Sequence, residues 1–96
     1  MRQTYLVCYD ICHDKRLRHV FRLMRGWGDH LQYSVFECQL TPTELTQLRT
    51  ELNELINSVE DQVLFICLGP SEGRGDRVIE ALGLPYHPID APCLVV

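Results

Sequence analysis

Apolar positions along the chain fall into a few runs with different spacings. Thr4–Tyr9 (TYLVCY) is apolar, β-branched or aromatic without alternation, which predicts a strand buried on both faces. Asp14 is a candidate N-cap. Leu17, Val20, Phe21 and Met24 then recur at helical spacing, and Gly26 and Gly28 supply a stop, so residues 15–25 read as a helix. Leu31–Leu40 (LQYSVFECQL) is rich in strand formers and has no breaker, which predicts one long strand. Thr41-Pro42-Thr43-Glu44 is a capping box with proline at the first helical position. Leu45, Leu48, Leu52, Leu55 and Val59 continue it as one apolar stripe, a helix over 42–57 whose other face carries Glu44, Glu51 and Glu54. Val63–Leu68 (VLFICL) is a further doubly apolar strand. Gly69–Asp76 is a loop that lacks the Lys-Ser/Thr of a phosphate-binding P-loop. Arg77–Leu82 is a short strand or a helical turn. Pro85, Pro88 and Pro92 break the remainder of the chain, and Cys93–Val96 is a short apolar tail.

This order, strand-helix-strand-helix-strand-strand because the second helix follows the second strand directly, predicts an α+β fold, a modified ferredoxin-like βαββαβ-type sandwich with both helices on one face of the sheet, in a single domain over residues 1–96. In that arrangement the two unalternating runs, 4–9 and 63–68, are the central strands. Their second face would be an exposed apolar patch of several hundred Å². A homodimer stacking the two open faces resolves this, with a tail of about residues 84–96 packing on the partner. The alternative is a C-terminal segment that folds back over its own sheet.

Composition narrows the class. With 96 residues, 46% of them hydrophobic, the chain is a small globular domain that gains from a partner covering apolar surface. No run approaches the ~18 apolar residues of a membrane span, and Asp10 comes too soon after the first apolar run for a signal peptide, so a cytoplasmic location is expected. Five cysteines, an odd number spread through strand-like runs, argue for reduced buried thiols rather than disulfides. A zinc site from Cys8, Cys12, His13 and His19 is the competing reading, although the spacing matches no zinc pattern. The net charge of −4 discourages a nucleic-acid role until its distribution is considered. Residues 1–25 hold six basic and two acidic side chains, and the rest hold three basic and eleven acidic ones.

Candidate chemistry gathers in that basic first quarter. Asp10 closes the first strand, at an edge where α/β folds commonly place ligands. Two copies of it near a dimer axis could hold Mg2+, which keeps its waters and borrows substrate phosphates. A turn-forming Asp is the plain alternative. Lys15, Arg18, Arg22 and Arg25 recur as one basic stripe flanked by Arg16, suited to phosphate backbones or simply to water. Tyr9 and Phe36 either stack on bases or fill the core. Ser34 could donate to a phosphate and Glu37 could ligate a metal. His13 is the one histidine placed to carry a proton beside Asp10.

The segments Tyr9-Asp10-Ile11, Asp14-Lys15-Arg16, Gln32–Glu37 (QYSVFE) and Leu40-Thr41-Pro42 together resemble the CRISPR-associated Cas2 family. The resemblance covers roughly residues 4–68 and implies a ferredoxin-like homodimer. It implies a magnesium-dependent endonuclease on single-stranded RNA or double-stranded DNA, and a partnership with the Cas1 integrase in spacer acquisition. It also implies Asp10 as the metal-binding and catalytic aspartate with Tyr9 beside it, and Arg16, Arg18, Ser34 and Phe36 as nucleic-acid-binding residues. The fold alone also admits a toxin-like messenger ribonuclease or a non-enzymatic dimeric scaffold.

Overall fold

A computed structural model describes residues 1–75 and 77–86. The elements are β1 (Gln3–Asp10), α1 (Asp14–Arg25), β2 (Asp29–Gln32), β3 (Val35–Leu40), α2 (Pro42–Leu55) and β4 (Gln62–Pro70), the βαββαβ order of a ferredoxin-like α+β fold. They form one antiparallel sheet in the order β2-β3-β1-β4.

Several expectations change. The long strand 31–40 is two strands joined by a turn at Tyr33-Ser34, so the central pair is β1 and β3. The run 63–68 instead lies in β4, at the edge of the described sheet, and that strand continues through Gly69 and Pro70. Arg77–Leu82 is neither strand nor helix. The cap of α1 is His13 rather than Asp14, because the His13 Nδ1 accepts the Lys15 amide at 3.2 Å. The α2 capping box forms as read: Thr41 Oγ1 accepts the Glu44 amide at 3.1 Å, and Glu44 Oε1 accepts the Thr41 amide at 2.9 Å. The helix ends at Leu55, leaving Val59 exposed beyond it.

The core lies between the sheet and the helices. Val7, Tyr9, Phe36, Cys38 and Leu40 from β1 and β3 meet Val20, Phe21 and Met24 of α1 and Leu48 and Leu52 of α2. Gly28 is needed where the chain leaves α1, since a Cβ there would collide with the Glu37 carbonyl oxygen and the Cys38 sulfur.

The opposite face of the sheet is only partly covered. Burial alternates along β4: Val63 and Phe65 pack on the core, while Leu64, Ile66 and Leu68 remain 47%, 43% and 38% exposed. Residues 77–79 reach the other half of this face. Arg77 donates to Asp29 Oδ2 at 3.0 Å and Glu37 Oε1 at 2.8 Å, beside a cavity of about 670 Å³ lined in part by Leu6, Leu31, Leu68 and Ile79. The tail assigned to a partner falls mostly outside the described residues. No helix among the described residues is long and apolar enough to cross a membrane.

Candidate nucleic-acid and metal site at the end of the first strand

Asp10 is the last residue of β1 and pairs with Gln62, the first of β4. One residue earlier, the Tyr9 amide donates to the Ser34 carbonyl at 3.1 Å. This end of the sheet therefore collects Asp10, the β2–β3 turn, the start of β4 and the loop leading into α1. The Asp10 carboxylate is exposed, and no hydrogen bond or ion pair engages it among the described residues.

The loop behind Asp10 is fixed by Asp61, a residue that no sequence pattern singles out. Asp61 sits before β4 with its side chain fully buried. Its Oδ1 accepts the Cys12 amide at 2.9 Å and an Arg16 terminal nitrogen at 3.2 Å. Its Oδ2 accepts Arg16 Nε at 2.8 Å and the Asn57 amide at 2.8 Å. Arg16 reaches Glu60 as well, at 3.1 Å, and the Cys12 thiol donates to the Glu60 carbonyl at 3.0 Å. The Arg16 hydrogen bonds, helped by the two amides, outweigh burial and hold the Asp61 carboxyl well below the usual carboxylate range. Asp61 thus ties the β1–α1 loop and the first turn of α1 to the α2–β4 turn, and the Arg16 guanidinium is already engaged before any phosphate arrives.

The other basic residues of α1 differ. Lys15, Arg18 and Arg22 are exposed and have no carboxylate partner among the described residues. Arg25 lies over the Phe21 ring at 5.9 Å.

Tyr9 and Phe36 point into the core. Their rings stack at 6.2 Å, Phe36 has no exposed surface, and base stacking is closed to both in this conformation. Burial pushes the Tyr9 hydroxyl up to about 12, and that hydroxyl has no hydrogen-bond partner among the described residues. His30 stacks on the far side of the group, 4.7 Å from the Phe36 ring and edge-on to Phe21 at 5.1 Å. Ser34 is half-buried in the turn, and its neighbour Tyr33 is 73% exposed. Glu37 is not brought to Asp10: it pairs across from Leu6 and binds Arg77.

Among the described residues no three His, Cys, Asp or Glu side chains gather around a possible cation, so the zinc set of Cys8, Cys12, His13 and His19 does not assemble. The described cysteines are free thiols, but only Cys38 is fully buried, while Cys12 and Cys67 are exposed. Asp10 offers one free carboxylate per chain. That suits a hard cation that retains most of its water and takes its other ligands from a second carboxylate or from phosphates.

Comparison with known proteins agrees with the architecture. The family model described as CRISPR associated protein Cas2 matches residues 3–72. The CRISPR-associated endoribonuclease Cas2 of Geobacter sulfurreducens is 36% identical over 96 residues, covering all of both chains. The crystal structure of Streptococcus pyogenes Cas2 at pH 6.5 superposes with a TM-score of 0.69 at 36% identity, over 83% of this chain and 99% of that one. A chain of a partial Cas6-RT-Cas1–Cas2 complex superposes with a TM-score of 0.56 at 29% identity, over 66% of this chain and 77% of that one. With its β1-to-β4 framework inside the matched segment, this chain belongs to the CRISPR-associated Cas2 family.

Proposed function

We propose that the chain acts in CRISPR adaptation as a homodimer whose Asp10 ends form a magnesium-dependent phosphodiesterase site, with the basic face of α1 holding the nucleic acid. The observation that carries this reading is the exposed Asp10 carboxylate at the sheet end, a few residues ahead of three cations on one helix, all four without an ionic partner among the described residues. Asp10 and its copy would hold the metal. Bound there, magnesium would supply an activated water and neutralise phosphodiester charge.

The chain's own residues have separable tasks. Lys15, Arg18 and Arg22 bind phosphates without reading sequence. Asp61 and Arg16 keep the loop after Asp10 in one conformation, so the carboxylate meets substrate without reorganisation. The row Leu64, Ile66 and Leu68 supplies apolar surface for the second copy.

The same cations serve an adaptor that holds duplex DNA for an integrase. The Cas1–Cas2 complex among the similar structures supports this second reading. One pair of variants separates the two. Asp10→Ala should abolish magnesium-dependent cleavage of RNA and DNA while light scattering still finds a dimer. Arg18→Glu with Arg22→Glu should abolish spacer acquisition in cells. Full cleavage by Asp10→Ala refutes the metal site, and normal acquisition by the double variant refutes the adaptor.

A further inference from the structure

Tyr33 is an aromatic side chain at this end of the sheet for which neither the core nor the proposed metal site has a use. It stands next to Ser34 in the turn, as Asp10 stands next to Tyr9, and the hydrogen bond from the Tyr9 amide to the Ser34 carbonyl joins the two segments at 3.1 Å. The residue is 73% exposed and takes part in none of the ring contacts of the aromatic group beneath it. Its backbone lies at φ +27°, which makes a bulky residue an outlier where glycine or asparagine is the ordinary choice. Two contacts keep it there. His30 Nε2 lies 2.7 Å from the Tyr33 carbonyl oxygen, and the His30 ring is clamped against Phe36 and Phe21. A side chain directed outward from a backbone anchored in the core loses little freedom when it meets a ligand.

We propose that Tyr33 is a base-stacking residue and that it makes the Asp10 end favour unpaired strands over duplex. A free π-face on the turn that is hydrogen-bonded to the Tyr9-Asp10 segment suits a nucleobase, with Lys15, Arg18 and Arg22 left to the phosphates of the same strand. A paired base inside a duplex hides its face, so the contact discriminates single from double strands while the helix does not. Strand aromatics such as Tyr9 and Phe36 are the candidates that the sequence offers for stacking. Their burial moves the role to the exposed ring between them in the chain. The inference rests on the Asp10 end being the nucleic-acid end.

The test is fluorescence anisotropy with a labelled single-stranded RNA decamer and with a DNA duplex of the same length, in EDTA so that nothing is cleaved. Tyr33→Ala should weaken single-strand binding about ten-fold and leave duplex binding unchanged. Tyr33→Phe should bind as the unaltered chain does. Tyr33→Gly should bind as weakly as the alanine variant with a melting temperature no lower than that of the unaltered chain, because glycine tolerates the positive φ. A Tyr33→Ala affinity within about two-fold of the unaltered chain overturns the inference. So does equal loss for both ligands, or a loss in Tyr33→Phe as large as in Tyr33→Ala. Anisotropy does not depend on cleavage. Activity persisting in Asp10→Ala therefore sinks the metal site alone, and unchanged anisotropy beside a dead Asp10→Ala sinks the stacking role alone.

Discussion

Two arginines each clasp two carboxylates, and the clasps have opposite characters. Arg16 meets Asp61 inside the protein, where the carboxylate is fully buried and also accepts two backbone amides. Arg77 meets Asp29 and Glu37 on the open face of the sheet, where the Asp29 side chain is 70% exposed. Desolvated and saturated with donors, the first pair leaves an uncompensated charge if one partner is removed. The second is mixed: its Asp29 arm is open to water and salt, while the Glu37 side chain is only 13% exposed, and neither carboxylate is fully desolvated. The loop behind Asp10 is therefore built as part of the core, whereas the segment over the open face rests on it by contacts that water and salt weaken.

The largest expected effect is at Asp61. Asp61→Ala deprives Arg16 and two amides of their acceptor, and the melting temperature should fall by about 10–20 °C in differential scanning calorimetry. A fall of less than about 3 °C would place the Arg16 clasp in the same class as the Arg77 one.

Acid comes next. The Asp61 carboxyl is held below its unfolded value, so its stabilisation is fully present above the ordinary aspartate value of about 3.9 and is lost as pH falls toward the folded-state value. Melts from neutral pH downward should therefore steepen below about pH 4, and Asp61→Asn should flatten that limb. Parallel limbs for the two proteins would assign the acid sensitivity to other carboxylates, such as Glu44, which its capping amide and Arg2 also lower.

The smallest effect is at Arg77. Arg77→Ala should move the melting temperature by no more than about 3 °C, yet limited proteolysis within 77–86 should quicken. Salt at about 1 M should reproduce that quickening in the unaltered chain. Protection of 77–86 that survives both treatments would make this segment a fixed part of the sheet's cover.

Legibility in the sequence tracks the range of each interaction. The capping box of α2 closes within four residues and is readable residue by residue. The partner of Arg16 lies 45 positions away, between the second helix and the last strand, where no motif marks it, so a buried ion pair looks like another cation of a surface stripe. The β2–β3 turn is invisible for a different reason. It contains no glycine, proline or asparagine, and its mark is a positive φ at a tyrosine, which no pattern of side chains announces. Without that turn, two strands merge and 63–68 moves from the sheet edge to its centre. Asp10 is legible at the end of its strand, because an acidic residue closing an apolar run is itself the signal. That Tyr9 and Phe36 belong to the core depends on Phe21 and His30 meeting the group in space.

The leucine–isoleucine–leucine row of β4 has a thermodynamic corollary. The row exists as a surface only while β4 is paired with β1, so whatever seats on it recognises the folded chain and ignores the unfolded one. Its association energy is then added to that of folding. If the seat is taken by a second copy, the melting midpoint climbs with total protein, and a value recorded at one dilution describes the sample as much as the sequence.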